Sequence, residues 1–480
     1  MSVEILGLMK TGDDYFDSEE FRELLRNYEE SVSSGQPIFL DADELTDIAD
    51  YYHYTGDLDA ADDAISQALA LNPGATSPLV YRIREELGQE NVEEAKELLD
   101  QITDKSDPDY FYMKAEILIA QNKVEEADRF LRGYLRNVPD DELGDFVLDV
   151  ANIWLDYGVN DKAYEWMMRS PGNDSDDFKE LMGHIMFGLG KFKDSQRIFN
   201  ELLDHDPYST RYWNALASAQ FMNEDFGDSV TSSEFAIAID PDDSEGILTK
   251  ANALFRLNNF DEALKYYERY HQLMPPLDFT ELQMALCYMY KNNVDEAIAH
   301  LEKARQLTSN DSPYQMQVYQ ELAFCFSAKG LLDKALECID QTQDLDCDHS
   351  DMEVLRGHIL LENQRIGEAA NAFGHALAMS DYAPHVLLRI IVSLYDNKFI
   401  SAAYTMLKKF FKYVGSDCND GYSYMALCCW DLKKNDEFLH YLQAAVERNP
   451  TEAHTVLQNI FPEGMDPKDY YEYIKNRIQQ

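Results

Sequence analysis

Small and apolar residues recur along this chain at a fixed interval of 34 residues. Two series of small residues share this interval, and the second follows the first by 12 residues: Gly183, Ala217, Ala251 and Ala285, then Ser195, Ser229, Ala263 and Ala297. Pro207, Pro241 and Pro275 repeat with the same spacing. A long fixed period with internal small residues and a closing proline predicts stacked helix pairs rather than strands or one globular core.

The stretch between Pro207 and Pro241 shows what one repeat contains. Its pattern predicts a first helix over residues 210–222 and a second over 226–239, joined by a turn at 223–225. Two antiparallel helices approach closely only where one presents Gly, Ala or Ser to the other, so the small residues mark the contact. Proline is disfavoured inside a helix, so Pro241 ends the second helix.

The same two positions recur twelve times, always 12 residues apart. The pairs are Ala49 with Ala61, Ile83 with Ala95, Ala115 with Ala127, Ala151 with Ala163, Gly183 with Ser195, Ala217 with Ser229, Ala251 with Ala263, Ala285 with Ala297, Ala323 with Ala335, Gly357 with Ala369, Ile391 with Ala403, and Ala426 with Phe438. Ile83, Ile391 and Phe438 are larger than the rule requires. We therefore predict about twelve helical repeats over 42–452, an N-terminal segment with a capping helix over 1–41, and C-terminal capping helices over 453–480.

One repeat resembles a known family. Trp213-x2-Leu216-Ala217, followed by Ser229, Ala236 and Pro241, is similar to the tetratricopeptide repeat (TPR), whose pattern has Trp, a Leu-Gly pair, Tyr, Ala-x3-Phe and a final Pro. Gln220 stands where the family has its Tyr, and Ser233 where it has its Phe. The resemblance implies an all-α fold, a right-handed superhelical solenoid of stacked antiparallel helix pairs. It also implies that the first helices line a concave groove that binds a protein segment.

The register of the first helices selects candidate groove residues. Positions three before, one after and four after the small residue are expected to face inward. They place these side chains in the groove: Asn152, His184, Phe187, Asn214, Ser218, Phe221, Asn252, Phe255, Met289 and Phe324. In one interpretation, this is an apolar strip beside amides that pair with a peptide backbone. In the other, the apolar row packs between neighbouring first helices and the Asn side chains bond locally.

The net charge of −48 narrows the choice of partner. Such a field repels phosphate backbones and anionic lipid surfaces, so we expect neither nucleic acid nor membrane as a ligand. Residues 1–100 carry 25 acidic and 6 basic side chains, which in one interpretation attract a basic protein partner. A solvated outer face that keeps a long repeat protein soluble explains the same charge.

No pattern of catalytic residues stands out. The chain lacks a phosphate-binding loop, a dinucleotide fingerprint, HExxH and GxSxG, and the repeats occupy nearly all of it. The one compact group of soft ligands is Cys338, Cys347 and His349, which we expect to be ordinary thiols beside a loop rather than a metal site. We predict a non-enzymatic protein with no cofactor and no metal.

The sequence also leads to expectations about the cellular compartment and about self-association. Seven cysteines, an odd number without a CxxC pair, and the absence of a signal-like N-terminus or a long apolar run predict a cytoplasmic protein. The pattern predicts two terminal helices, over residues 452–461 and about 467–478, and Tyr470, Tyr471 and Tyr473 give the second an aromatic face. The alternative function is therefore a self-associating structural or regulatory subunit that forms a homodimer through its terminal helices.

Overall fold

The chain folds into helices joined by short turns. The computed structural model describes residues 13–16, 18–34, 40–139, 141–170, 172–309, 312–343, 345, 348–415, 418–462 and 464–478. These residues form α-helices and two short 3₁₀ turns, and no strand occurs among them. The all-α class predicted from the 34-residue period is confirmed.

The helices, numbered in chain order, alternate between first and second members of pairs. The N-terminal part contains α1 (Asp13–Phe16) and α2 (Glu19–Ser34). The first helices are α3 (Ala42–Thr55), α5 (Thr76–Gly88), α7 (Pro108–Ala120), α9 (Leu143–Asp156), α11 (Asp176–Gly188), α13 (Thr210–Met222), α15 (Ser244–Arg256), α17 (Asp278–Tyr290), α19 (Gln315–Ala328), α21 (His349–Glu362), α23 (Pro384–Asp396) and α25 (Tyr422–Asp431).

Each first helix is followed by a second helix. These are α4 (Leu58–Leu71), α6 (Val92–Gln101), α8 (Val124–Tyr134), α10 (Asn160–Met167), α12 (Phe192–His205), α14 (Phe226–Ile239), α16 (Phe260–Leu273), α18 (Val294–Leu307), α20 (Leu332–Asp340), α22 (Ile366–Met379), α24 (Ile400–Val414) and α26 (Asn435–Arg448). The chain ends with α27 (Pro450–Leu457) and α28 (Pro467–Ile478). The bounds of α13 and α14 are those that the sequence pattern predicts.

The paired small residues are where the two helices of a repeat meet. Ala217 and Ser229 are both fully buried, and the Ser229 hydroxyl donates a hydrogen bond of 2.9 Å to the Ala217 carbonyl. At Gly183 and Gly357 the second helix instead contributes an aromatic ring, Phe199 or Phe373, which lies where a β-carbon on the glycine would be. The 12-residue spacing therefore marks a point of direct helix contact.

A left-handed residue occurs in the turn of each repeat, seven positions after the small residue of the first helix. The φ angles lie between 57° and 82° at Gly56, Glu90, Asn122, Gly158, Gly190, Glu224, Asn258, Asn292, Gly330, Gln364, Lys398 and Lys433. After α13, the amide of Glu224 donates to Phe221 O and that of Asp225 to Gln220 O. This pair of bonds is the Schellman motif, which satisfies the last carbonyls of a helix and reverses the chain.

Helix packing divides the chain into two compact units, one up to Ala253 and one from Leu254. In the first unit, the core includes the fully buried Trp154 and Trp166 of α9 and α10, and α2 covers α3 with Phe21 and Tyr28. In the second unit, the terminal core is built around Phe410 and Phe438. The border between the two units falls inside α15. It does not test the predicted division at residues 41 and 452, which stays a prediction.

The C-terminal helices cap the second unit. Helix α28 has its predicted bounds, whereas α27 begins two residues earlier than predicted, at Pro450, and ends before Phe461. Tyr470 and Ile474 are buried, and the Tyr470 ring stacks on Phe461 with centroids 3.8 Å apart. The aromatic face that suggested a dimer contact is thus largely used within the chain. None of the described helices combines the length and apolarity that crossing a membrane requires.

Replacing Gly357 by Ala tests the close contact between α21 and α22. The added methyl group would overlap the Phe373 ring, so we expect a loss of about 1–3 kcal/mol in the free energy of unfolding. Gly374→Ala, at an exposed position of α22 with open space around it, should instead gain roughly 0.5–1 kcal/mol. Chemical denaturation with hydrogen exchange in α21 and α22 measures both. Equal effects of the two variants would contradict the assignment.

Candidate binding groove

The first helices α11, α13 and α15 line a groove in the first unit that consists of two adjoining cavities. One, of about 230 Å³, is bordered by His184, Phe187, Phe199, Arg211, Ala215, Ser218 and Glu245. The other, of about 170 Å³, is bordered by Phe187, Ser218, Phe221, Met222, Thr249 and Asn252. Phe187 and Ser218 border both cavities. We call these residues together the inner groove.

Five of the ten predicted site residues meet in the inner groove: His184, Phe187, Ser218, Phe221 and Asn252. They come from two of the predicted rows, one and four positions after the small residue. Aromatic carbons form much of the surface, and hydroxyl, imidazole and amide groups lie beside them. Such a surface can hold apolar side chains while it hydrogen-bonds a main chain.

The inner groove contains two charged side chains, Glu245 and Arg211. The Arg211 guanidinium lies 2.7 Å from Glu180 Oε2, and His184 Nε2 lies 4.0 Å from the other oxygen of this carboxylate. Desolvation, and then the positive charge of Arg211, lower the pKa of His184, so its imidazole is neutral at neutral pH. The groove therefore presents one cation that is already paired with a carboxylate.

The inward-facing phenylalanines also have a structural role. Each packs edge-to-face on the first residue of the following second helix, five positions later. The pairs are Phe187 with Phe192 at 5.6 Å, Phe221 with Phe226 at 5.4 Å, and Phe255 with Phe260 at 5.6 Å, measured between ring centroids. Such pairs stabilise beyond the burial of their area, so these rings hold each hairpin closed, and Phe187 and Phe221 also line the inner groove.

The two remaining asparagines lie outside the inner groove. Asn214 is 4% exposed, and its amide donates to both carboxylate oxygens of Asp243, at 3.1 and 2.9 Å. Asp243 in turn accepts from the Gly246 amide in the first turn of α15. Asn214 therefore orients a helix cap. Asn152 is exposed on α9 and donates to Asp156 one helical turn away.

Phe255, Met289 and Phe324 belong to the second unit. Phe255 also packs edge-to-face on Tyr290, and Tyr290 stacks on Phe260 with nearly parallel rings. Phe324 meets the His358 imidazole edge-to-face at 6.1 Å. Met289 is half-buried. These side chains keep their predicted register, and their predicted role in ligand binding stays a prediction.

Charged residues of the first unit continue the predicted row toward the N-terminus. Asp50, Arg84 and Glu116 stand one position after the small residue in α3, α5 and α7, as His184, Ser218 and Asn252 do later in the chain. The Arg84 guanidinium lies 3.9 Å from Glu116, whose side chain is 12% exposed. The register set by the small residues could have identified these positions, although their charged side chains form no recognisable motif.

Desolvation is the main cause of the raised pKa of two of these carboxylates. Burial raises the pKa of Asp50 to about 7, with repulsion from Asp47 as the next cause. Burial also raises the pKa of Glu116 to about 7, although Arg84 opposes the shift. Both groups are therefore costly to ionise, and a cation placed beside them would stabilise their charged form.

The proposed thiol cluster gives no metal site within the described residues. Cys347 lies outside them, and Cys338 is buried in α20, where burial raises its thiol pKa to about 11. Across the part of the chain that the structure describes, His, Cys, Asp and Glu form no group that could hold a metal ion.

Comparison with protein families agrees with the repeat geometry. Three family models match: a tetratricopeptide repeat over residues 45–74, a tetratricopeptide repeat over 82–142, and a tetratricopeptide repeat-like domain over 250–392. The chain belongs to the TPR family. The predicted resemblance is confirmed, and the matched residues lie in α3 to α8 and in α15 to α23.

Several solved structures are similar to this TPR protein. A tetratricopeptide repeat protein from Parabacteroides merdae is 16% identical, with a TM-score of 0.40, over 52% of this chain and 98% of that one. The Cut9–Hcn1 hetero-tetramer of APC/C is 14% identical, with a TM-score of 0.35, over 94% and 98%. YrrB, a TPR protein with an unusual peptide-binding site, is 14% identical, with a TM-score of 0.34, over 42% and 97%. No curated protein sequence matches the chain.

Replacing Phe221 by Ala should destabilise the TPR hairpin formed by α13 and α14. The change removes the ring that packs on Phe226, and we expect a loss of roughly 2–4 kcal/mol in the free energy of unfolding. Met222→Ala is the matched control, because Met222 lines the same groove but is 49% exposed and should cost under about 1 kcal/mol. Urea unfolding of both variants measures the difference. Similar midpoints would show that the Phe221–Phe226 pair is not structural.

The raised pKa of Glu116 predicts a pH dependence of stability. Its folded pKa exceeds its unfolded value, so its contribution is present below about pH 4.5 and is lost as the pH rises through about 7. Between pH 5 and pH 8, the melting temperature should therefore decrease less in Glu116→Gln than in the parent chain. Glu97→Gln, an exposed change on α6, is the control and should follow the parent. A Glu116→Gln curve parallel to the parent would contradict the prediction.

Proposed function

We propose that this TPR protein is a non-catalytic, cytoplasmic scaffold that binds an extended or helical segment of a partner protein in the inner groove. The observation that carries the proposal is the pair of adjoining cavities on α11, α13 and α15. Both have apolar walls, and both are bordered by groups that can bond a main chain.

The size of the cavities favours a polypeptide over a small molecule. At about 230 and 170 Å³, each is smaller than the roughly 300–1,000 Å³ typical of small-molecule sites. A polypeptide can fill two small cavities with separate side chains. Ser218 borders both cavities, so its hydroxyl can bond the main chain between those side chains.

Charge favours a basic partner. The net charge of −48 gives the chain a negative field that speeds the approach of positively charged proteins and slows that of nucleic acids and anionic membranes. Interfaces between such partners gain association rate and selectivity more than affinity from charge. The partner class that we propose is therefore a protein with a basic exposed segment.

Selection from a random 12-residue peptide display library tests the groove. Ser218 borders both cavities, so Ser218→Trp should fill them and reduce the recovery of peptides selected on the parent chain by about tenfold or more. Thr231→Trp adds the same side chain at an exposed position of α14 and should leave recovery unchanged.

Circular dichroism and melting of both Trp variants establish that the fold is intact before recovery is compared. Equal recovery on the parent chain and on Ser218→Trp would overturn the proposal. So would a parent chain that enriches no peptide at all.

A further inference from the structure

We propose that the segment bound in the inner groove is extended and bipartite. Two apolar side chains at alternate positions fill the two cavities, and lysine or arginine residues continue from them along α9, α7 and α5 toward α3. This inference rests on the proposed function and adds the chemistry and direction of the ligand.

The spacing of the cavities suits an extended chain. In a strand, alternate side chains point to the same side and lie about 6.5–7 Å apart. The two cavities share Phe187 and Ser218 as a common border, so they are immediate neighbours, as two such side chains are. A main chain crossing that border passes the Ser218 hydroxyl.

The walls of the cavities differ. The larger one is formed by the rings of Phe187, Phe199 and His184, which suit a flat aromatic side chain. The smaller one is closed by Met222 and Phe221, which suit an aliphatic side chain or methionine. An aromatic residue followed or preceded two positions away by an aliphatic one therefore fits the groove.

Beyond α11, the same inner row carries two carboxylates and one guanidinium. Going toward the N-terminus, it carries Asn152, Glu116, Arg84 and Asp50, one from each first helix. Side chains tie α7 to α9 in this row: the Tyr157 hydroxyl donates to Glu116 at 3.4 Å, and Tyr112 donates to Asp149 at 2.8 Å. A ligand that continues in the direction of the groove meets this row next.

Charge complementarity decides which ligand fits there. Asp47, Asp50, Glu116 and Asp156 carry carboxylates along this part of the inner face, and Arg84 is the cation that faces them. Beside Asp47, Asp50 and Arg84 lies a further opening of about 80 Å³, large enough for an ammonium group. An acidic segment would be repelled, and a neutral one would leave the excess negative charge of this poorly solvated surface uncompensated.

Fluorescence anisotropy with the full chain and labelled 12-residue peptides tests the inference. Each peptide consists of Phe-Gln-Leu, a flank of four Lys, four Gln or four Glu, and further Gln residues. Each is made in two orders, with the flank either before or after Phe-Gln-Leu. In one of the two orders, the Lys peptide should bind at least about tenfold more tightly than the Gln peptide, and this ratio should shrink as salt is raised. The Glu peptide should bind more weakly than the Gln peptide.

Variants that replace carboxylates by amides show which carboxylates cause the preference for the Lys peptide. The inner triple variant Asp50→Asn, Glu116→Gln, Asp156→Asn should reduce the Lys-to-Gln ratio to within about twofold. The outer triple variant Asp59→Asn, Glu97→Gln, Asp100→Asn changes net charge equally at exposed positions of α4 and α6 and should keep most of the ratio. Equal losses in both triples would show a general field and overturn the inference.

The outcomes separate this inference from the proposed function. If Lys and Gln peptides bind equally but Ser218→Trp abolishes binding, the basic flank is wrong and the groove stands. A preference for the Glu peptide also overturns the inference. If none of these peptides binds, the bipartite ligand is overturned, and the random library decides separately whether the groove binds other segments.

Discussion

The fold depends on how closely the two helices of each pair approach at their small residues. Where Ala217 meets Ser229, the contact is close enough for a side-chain hydroxyl to bond the facing backbone carbonyl. Where glycine stands in the first helix, a phenylalanine ring of the second helix takes the space. Either arrangement fixes the rotation of the first helix about its axis. Equivalent positions of neighbouring repeats within a unit therefore point the same way, and side chains such as His184 and Ser218 form a row.

The sequence predicts those parts of the structure that depend on local spacing. The bounds of α13, α14 and α28 follow from apolar periodicity and proline, and the row one position after the small residue follows from register. The left-handed conformation is not predictable at Glu224 and Lys398, because these residue types rarely adopt it. Closure of the hairpin imposes it on them.

The candidate groove could be predicted as a surface but not as a set of contacts. Register places His184, Phe187 and Ser218 together, whereas the burial of Asn214 depends on the carboxylate of Asp243 in the next repeat. Arg211 was missed because it stands at the start of α13, six positions before Ala217, and reaches the groove through its long side chain. Contacts of this kind depend on neighbouring repeats, which spacing within one repeat does not encode.

A chain with 89 acidic and 41 basic residues must place many carboxylates without cations. Tyrosine hydroxyls serve several of them across neighbouring repeats: Tyr112 donates to Asp149, and Tyr395 to Asp431 at 2.6 Å. A hydroxyl satisfies a carboxylate oxygen without cancelling its charge. At these positions the carboxylate therefore keeps its negative charge while it remains hydrogen-bonded.

The small residues are always 12 positions apart within a hairpin, whereas the joins between hairpins vary in length. This difference restricts how such a protein can change length during evolution. One residue inserted between Ala217 and Ser229 would rotate α14 by about 100° and break the contact. An insertion in a join, such as the one between α18 and α19, leaves both hairpins intact. Growth or loss by whole hairpins preserves the fold, so gene duplication of this unit is the genetic step that the architecture accepts most readily.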